Sequence, residues 1–280
     1  MRILIATDAF PPNCGGSGWS TYELVRGLRN RGHSVTVIMP RPGQTADGVR
    51  RLDDVDIIEA AFPVTRIPVL RNVAKNERLW PRLAAHIGEA AARLRSDLIH
   101  AQHMLTAPAA VMAGARTGVP VVCTVRDYWP ICYWGTTIVD PTWSQLCPEC
   151  TPGMMARCLR PRAGLAWPAA LGAVPYMRSN LSRKQAALAD ADAIIAVSRV
   201  IADDLRRRSR GLRRARISVI PNPVDVADIR DRASRLSRPV PGPYALFVGK
   251  LEINKGARFL MPAMARASLG RESTLMRRPS

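Results

Sequence analysis

The sequence predicts an α/β fold, a doubly wound parallel sheet with helices on both faces. Short apolar segments alternate with amphipathic segments over residues 2–220. Several apolar segments are continuous rather than alternating, which is typical of parallel strands buried on both faces. Glycine and polar residues follow directly after these segments, which favours a ligand site at the carboxyl edge of the sheet.

The first strand, turn and helix organise the chain. Arg2–Ala6 is predicted as a strand, and Pro11-Pro12 ends any regular structure after it. A glycine-rich stretch with Gly15 and Gly16 follows, and Trp19–Arg31 carries a helical pattern. Glycines let the backbone approach an anion, and the amides of a helix N-terminus face it with partial positive charge. The stretch is therefore predicted to contact a phosphate or to be a plain tight turn.

A dinucleotide site fits this stretch poorly. Reading G-x-G-x-x-G from Gly16 places Thr21 at the third glycine. The second predicted strand, Ser34–Met39, runs into Pro40-Arg41-Pro42, where an acidic residue for the ribose hydroxyls would be expected. The failed glycine pattern therefore disfavours a nicotinamide or flavin enzyme.

The remaining elements follow from apolar periodicity. The other predicted strands and extended segments lie near Ile57 and over Val64–Val69, Asp97–Ala101, Val121–Val125, Ala193–Val197 and Arg216–Ile220. The other predicted helices are Asn72–Arg95, Thr106–Arg116, Trp167–Ala189 and Arg199–Arg208, the last capped by Ser198. Residues 41–54 and 126–162 are predicted to be irregular. Because parallel strands end at one edge, His103, Arg126, Asp127 and Ser198 are expected to share a crevice with the glycine stretch.

The composition limits the classes of partner. A net charge of +19 attracts phosphorylated substrates, acidic membranes or nucleic acid. The aromatic fraction is 5% and no nucleic-acid motif occurs, so nucleic acid is not an expected partner. No apolar run reaches the roughly 18 residues of a membrane span, and the start does not resemble a secretory signal. A cytoplasmic protein is therefore expected.

The last part of the chain predicts a second domain. Residues 226–243 are charged and proline-rich, which indicates an interdomain linker. Tyr244–Val248 is predicted to start a new strand, and Ala257–Ala267 a helix. Because one strand and one helix cannot bury a core, residues 244–280 are predicted to be the truncated start of that domain.

Six short motifs occur in a characteristic order. They are Phe10-Pro11-Pro12 with Gly15-Gly16, Leu28–Val37, Asp97–His103, Ala196-Val197-Ser198, Ile220–Asp225, and Phe247–Lys250 with Lys255-Gly256. In this order they resemble the glycosyltransferases of family 4, which have the GT-B fold of two Rossmann-like domains facing a cleft. The resemblance implies hexosyl transfer from a nucleotide-sugar to a lipid-linked or glycan acceptor, with retention and without a catalytic metal. Residues 1–225 would be the amino-terminal, acceptor-side domain, and residues 244–280 the truncated donor-binding domain.

The resemblance also implies a site for the donor diphosphate. Lys250 and Lys255 would supply cations, and Gly15 and Gly16 backbone amides, around the charge that develops on the leaving group. Spacing alone allows a second interpretation of the two lysines, as an exposed and solvated loop.

Three residues are predicted at the reacting centre. His103 would orient a substrate hydroxyl, or it is a polar group that caps the strand end. Arg126 stands where the family commonly has histidine; it cannot act as a base at neutral pH, but it can bind a phosphate or a carboxylate. Asp127 is expected to pair with Arg126 or to bind a substrate hydroxyl.

Four cysteines cluster within the predicted insertion 126–162. They are Cys132, Cys147, Cys150 and Cys158, of which the middle pair has the CxxC spacing of a zinc site. The prediction is a structural zinc bound by four thiolates, which would stabilise a segment with few apolar residues. The alternatives are an iron–sulfur cluster and a set of reduced thiols.

The basic run Arg206–Arg216 has two interpretations. It would dock on anionic lipid at the inner face of the membrane, or it is a solvated helix end. A function of a different class is also open: the chain would be a non-catalytic fragment that binds only the acceptor. Donor turnover separates this alternative from a transferase.

Overall fold

A computed structural model describes residues 1–64, 78–140, 145–237, 244–249 and 256–266. Within them, one sheet is formed by β1 (Arg2–Ala6), β2 (Ser34–Pro42), β3 (Gly48–Leu52), β4 (Val55–Phe62), β5 (Leu98–Ala101), β6 (Val121–Val125), β7 (Ala193–Ala196) and β8 (Ile217–Val219). The strand order is β3-β4-β2-β1-β5-β6-β7-β8. Every neighbouring pair is parallel except β3 with β4. The order reverses direction at β1, as in a doubly wound sheet, so the predicted fold class is confirmed.

The described residues also form α-helices, some of which cover the two faces of this sheet. They are α1 (Gly16–Arg29), α2 (Leu79–Arg93), α3 (Thr106–Thr117), α4 (Pro152–Ala163), α5 (Trp167–Ala170), α6 (Val174–Ala189), α7 (Arg199–Arg208), α8 (Val226–Ser234) and α9 (Ala257–Arg266). Side chains of β1 alternate between the faces. Ile3 and Ile5 pack in a core with α1, whereas Leu4 and Ala6 pack in a larger core with α2 and α3. None of the described helices is long and apolar enough to span a lipid bilayer.

Several element boundaries differ from the sequence predictions. Helix α1 begins at Gly16 rather than Trp19, because glycine is tolerated in a first helical turn. The segment predicted to be irregular before residue 54 contains β3, an antiparallel edge strand whose two arginines interrupt any apolar pattern. The irregular segment predicted up to residue 162 contains α4, where the Thr151 hydroxyl accepts the Met154 N–H.

Other boundaries follow the sequence closely. Strand β6 has the predicted limits, and Ser198 caps α7 by accepting the Ile201 N–H at 3.3 Å. The long helix predicted over Trp167–Ala189 is divided by a 3₁₀ turn at Leu171–Ala173.

The chain divides into two compact units. The first comprises Met1–Thr137 and Cys147–Asp225 and holds the sheet. The second comprises Ile138–Leu146 and Val226–Ser280.

The second unit differs in detail from the predicted linker and strand. The predicted linker begins with the helix α8. Residues 244–249 have no regular secondary structure where a strand was predicted, because the described residues offer them no partner strand. Residues 250–255 and 267–280 lie outside the described part, so the truncated donor domain stays a prediction.

Candidate active site

A polar crevice lies where three adjacent strands end. Strands β1, β5 and β6 are neighbours in the sheet, and all three run in the same direction. The residues directly after them are Thr7-Asp8, Gln102-His103 and Arg126-Asp127. The topology therefore brings together residues that lie about a hundred positions apart in the sequence.

Arg126 connects three parts of this crevice. Its Nη1 donates to Ser20 Oγ at 2.8 Å and to Asn222 Oδ1 at 2.6 Å. Its Nη2 donates to Gln102 Oε1. These acceptors are neutral, and burial lowers the pKa of Arg126 to about 10. The guanidinium therefore stays charged at neutral pH, with no carboxylate among its hydrogen-bond partners in the described residues.

His103 is held as a neutral ring. Its Nδ1 accepts the Asp8 N–H at 3.3 Å and lies 2.9 Å from Thr7 Oγ1. Burial, and then the charge of Arg126, lower the pKa of His103 to about 4. Because Nδ1 accepts a hydrogen bond, the neutral ring carries its proton on Nε2. Such a ring can donate to a substrate oxygen.

Asp8 is a crevice residue that the sequence analysis missed. Its carboxylate accepts the N–H groups of Leu105 and Thr106, both at 3.0 Å, at the start of α3. Burial raises the pKa of Asp8 to about 6 against the effect of these bonds. Asp8 directly follows Thr7 at the end of β1, so its position after a strand was the available signal.

Asp127 bonds to the backbone rather than to Arg126. Its Oδ1 accepts the Trp129 N–H at 2.9 Å, which closes the turn that starts the insertion. The expected ion pair between the two neighbours is therefore not formed. Burial raises the pKa of Asp127, while the Trp129 N–H and the buried Lys184 oppose that rise.

The glycines around the start of α1 differ in whether the structure has room for a side chain. A Cβ added at Gly15 or Gly16 would meet no atom within 4 Å. A Cβ at Gly18 would lie 2.5 Å from Cys14 Sγ, so the chain itself requires this glycine. Gly15 precedes the helix with no side-chain cap bond, which leaves the first turn of α1 open to a ligand. The predicted partners of this turn, Lys250 and Lys255, lie outside the described residues.

The four clustered cysteines lie beside the turn that Asp127 starts. Cys132, Cys147 and Cys158 are buried, and none of the four forms a disulfide. Cys132 Sγ accepts the Thr137 N–H at 3.4 Å, and a hydrogen bond from Cys150 lowers the pKa of Cys132. Among the described residues, no group of three or more Cys, His, Asp or Glu is arranged to hold a metal ion. The zinc site stays a prediction.

The solved structure of a sucrose-phosphate synthase supports the fold. Sucrose-phosphate synthase from Thermosynechococcus elongatus is 18% identical with a TM-score of 0.54, over 95% of this chain and 60% of its own. A trehalose-phosphate synthase from Burkholderia xenovorans is 12% identical with a TM-score of 0.49, over 94% and 56%. The Anabaena protein HepE, solved with UDP, is 16% identical with a TM-score of 0.41, over 84% and 50%. The chain thus spans 50% to 60% of the length of these proteins.

The comparison of sequences gives the family. No curated protein matches the chain. The family model for Glycosyltransferase Family 4 matches residues 14–228, which include α1, β5, β6 and the crevice residues Gln102, His103 and Arg126. Because this match spans more than half of the 280 residues, the chain belongs to glycosyltransferase family 4.

Proposed function

We propose that the protein transfers a hexosyl group from a nucleotide-sugar to a lipid-linked or glycan acceptor, with retention of configuration and without a catalytic metal. The observation that carries this proposal is the crevice where β1, β5 and β6 end. It gathers Asp8, His103 and Arg126 at the sheet edge where ligands of parallel α/β folds bind. Family membership supplies the class of reaction.

The crevice has the groups that this reaction needs. The leaving nucleotide diphosphate gains negative charge as the glycosidic bond breaks, and fixed cations and amides stabilise that charge. Gly15 and Gly16 supply amides at the N-terminus of α1, and Arg126 is bonded to Ser20 of the same helix. His103 carries its proton on Nε2 and can donate it in a hydrogen bond to a substrate oxygen. The predicted lysines, Lys250 and Lys255, would complete the diphosphate site.

A direct assay tests this function. The chain is incubated with UDP-, GDP- and ADP-hexoses, and release of nucleotide is measured with and without lipid-linked and glycan acceptors. Acceptor-dependent release from at least one donor is expected. Absence of release from every donor, with every acceptor, would contradict the transferase.

The second candidate is a non-catalytic acceptor-binding protein. One observation favours it: Leu246, Val248 and Phe259 of the second unit are 75%, 84% and 60% exposed. In its described residues, this segment buries no apolar side chain that could form a donor-domain core. Binding of an acceptor without turnover of any donor would support this candidate, and donor turnover would eliminate it.

Membrane contact belongs to the same proposal. The turn after α7 exposes Arg210, Arg213 and Arg214, while the buried Leu212 anchors it to the first unit. Closely spaced arginines are attracted to anionic headgroups, by about 1 kcal/mol per charge near the surface. Flotation with anionic vesicles is expected to carry the protein, and flotation with neutral vesicles is not. Equal flotation with both would contradict the contact.

A further inference from the structure

Three hydrogen-bond donors in the crevice have no acceptor. Gln102 Nε2, His103 Nε2 and Arg126 Nε are buried, and none has a partner among the described residues. Gln102 is fully buried. Buried polar atoms are almost always hydrogen-bonded, and each exception in a native structure asks for an explanation. Three exceptions in one crevice indicate that a ligand supplies the missing acceptors.

The three side chains form one connected set. The amide oxygen of Gln102 accepts a hydrogen bond from Arg126. The unpartnered nitrogen of the same amide therefore lies next to the guanidinium. Arg126 also lies close enough to His103 for its charge to lower the pKa of that ring. All of the unmet atoms are donors, and the set carries a positive charge. A hydroxyl both donates and accepts, whereas a phosphate or carboxylate only accepts.

No described carboxylate neutralises this charge. Asp127 accepts the Trp129 N–H instead, and Asp8 accepts two N–H groups of α3. Arg126 is half-buried, and a partly desolvated cation without a counterion is stabilised by an anionic ligand. The present partners of Arg126 are neutral oxygens, so an anion can displace them through stronger, charge-assisted hydrogen bonds.

We propose that Gln102, His103 and Arg126 form an anion-binding subsite that takes a phosphate or carboxylate group of the substrate. The inference rests on the proposed function, because it assigns the anion to a transferase substrate. The anion comes either from the donor, as its diphosphate, or from an acidic acceptor. Both sources present the same acceptor-only oxygens to the guanidinium.

Titration calorimetry with defined probes tests the subsite. UDP and pyrophosphate represent the donor, glucose 6-phosphate and glucuronate represent an acidic acceptor, and glucose is the neutral reference. Arg126→Gln is expected to weaken binding of at least one anion by tenfold or more, consistent with loss of charge-assisted hydrogen bonds. Arg93→Gln removes the same charge from an exposed position on α2 and is expected to leave binding unchanged.

The affected probes identify the source of the anion. Loss confined to UDP and pyrophosphate assigns the subsite to the donor, and loss confined to glucose 6-phosphate or glucuronate assigns it to the acceptor. Equal affinities of wild type and Arg126→Gln for every anion would overturn the subsite, as would failure of every anion to bind.

A second variant keeps the test valid if Arg126→Gln does not fold. Arg126→Lys keeps the charge but lacks the Nε and paired Nη donors, so a smaller loss than for Arg126→Gln is expected. Thermal melts establish that each variant is folded. If Arg126→Gln does not fold, unchanged anion binding by folded Arg126→Lys would overturn the assigned hydrogen bonds.

The calorimetry needs no turnover and therefore separates the two proposals. Arg126-dependent binding without any sugar transfer would contradict the transferase and leave the subsite standing. A rate of sugar transfer that Arg126→Gln leaves unchanged would contradict the subsite and leave the transferase standing.

Discussion

The crevice and the cysteine cluster both bury polar groups beside the same turn, but they satisfy them differently. In the cluster, the Cys132 sulfur accepts the Thr137 N–H and contacts Cys150. In the crevice, Gln102 and His103 retain donors that no described residue accepts. Buried groups that the chain satisfies stabilise its structure, whereas several unsatisfied donors in one place are available to a ligand. Substitutions in the crevice should therefore impair function, and substitutions in the cluster should impair stability.

The largest expected effect is on turnover. His103→Ala removes the Nε2 donor, and sugar transfer is expected to fall about 100-fold, the lower range for loss of one preorganised hydrogen-bond donor. His86→Ala changes a half-exposed histidine whose Nδ1 lies 3.5 Å from Asp47, and it should leave transfer unchanged. Nucleotide release under saturating donor measures both variants. Equal loss in the two would show that the effect is not specific to the crevice.

Stability should respond most to the cysteine cluster. Cys132→Ser is expected to lower the free energy of unfolding by about 2 kcal/mol, because the shorter hydroxyl cannot keep the sulfur contacts. Urea denaturation measures this loss, and binding of UDP should change less than twofold. A Cys132→Ser protein with wild-type stability would contradict the structural role of the cysteine cluster.

Metal analysis of the reduced protein belongs to the same test. Bound zinc that is lost in Cys132→Ser but kept in Cys14→Ser would support the predicted site. Bound iron would point to the iron–sulfur alternative. A protein without zinc or iron would contradict the metal prediction.

The pH dependence of the free energy of unfolding distinguishes the contribution of Asp8 from that of the buried histidines. Folding raises the pKa of Asp8 from 3.8 to about 6, so its contribution is full below pH 4 and is lost as pH rises through 6. Folding lowers the pKa of His103, and of His100 buried within β5, to about 4, so their contributions are present above pH 6.5 and are lost as pH falls through 4. The two effects oppose each other in the wild type.

Asp8→Asn should reveal this opposition. Without the contribution of Asp8, the free energy of unfolding should fall more steeply between pH 6.5 and 4. The additional fall over that range is about 2 kcal/mol. Urea denaturation of both proteins at several pH values gives the two curves. Parallel curves would mean that Asp8 has an ordinary pKa.

The smallest effect is expected at the glycines. Gly16→Ala should weaken UDP binding about tenfold, because its Cβ stands where the phosphate approaches the backbone. Its stability should stay the same or rise by up to about 1 kcal/mol, since alanine is the better helix residue. Gly18→Ala should instead lower stability, because its Cβ meets Cys14 at 2.5 Å. Wild-type UDP affinity in Gly16→Ala would remove the phosphate role.

The sequence predicted what depends on local pattern. The continuous apolar strands and the Ser198 cap were predictable because strand burial and helix capping involve neighbouring residues. Strand β3 was not predictable, because Gly48–Leu52 pairs at an edge and carries two arginines. The hydrogen bonds of Arg126 join residues 106 and 96 positions away, so no local pattern encodes them.

Hydrogen–deuterium exchange with and without a nucleotide-sugar tests the central claim most directly, because it reports on both regions in one experiment. The account predicts slower exchange in peptides covering residues 7–20, 102–106 and 126–130, with little change in residues 145–159. The first three segments contain the residues of the crevice. Residues 145–159 contain three of the four clustered cysteines. Slower exchange confined to the cysteine cluster, or no change at saturating ligand, would contradict the assignment of the substrate site to the crevice.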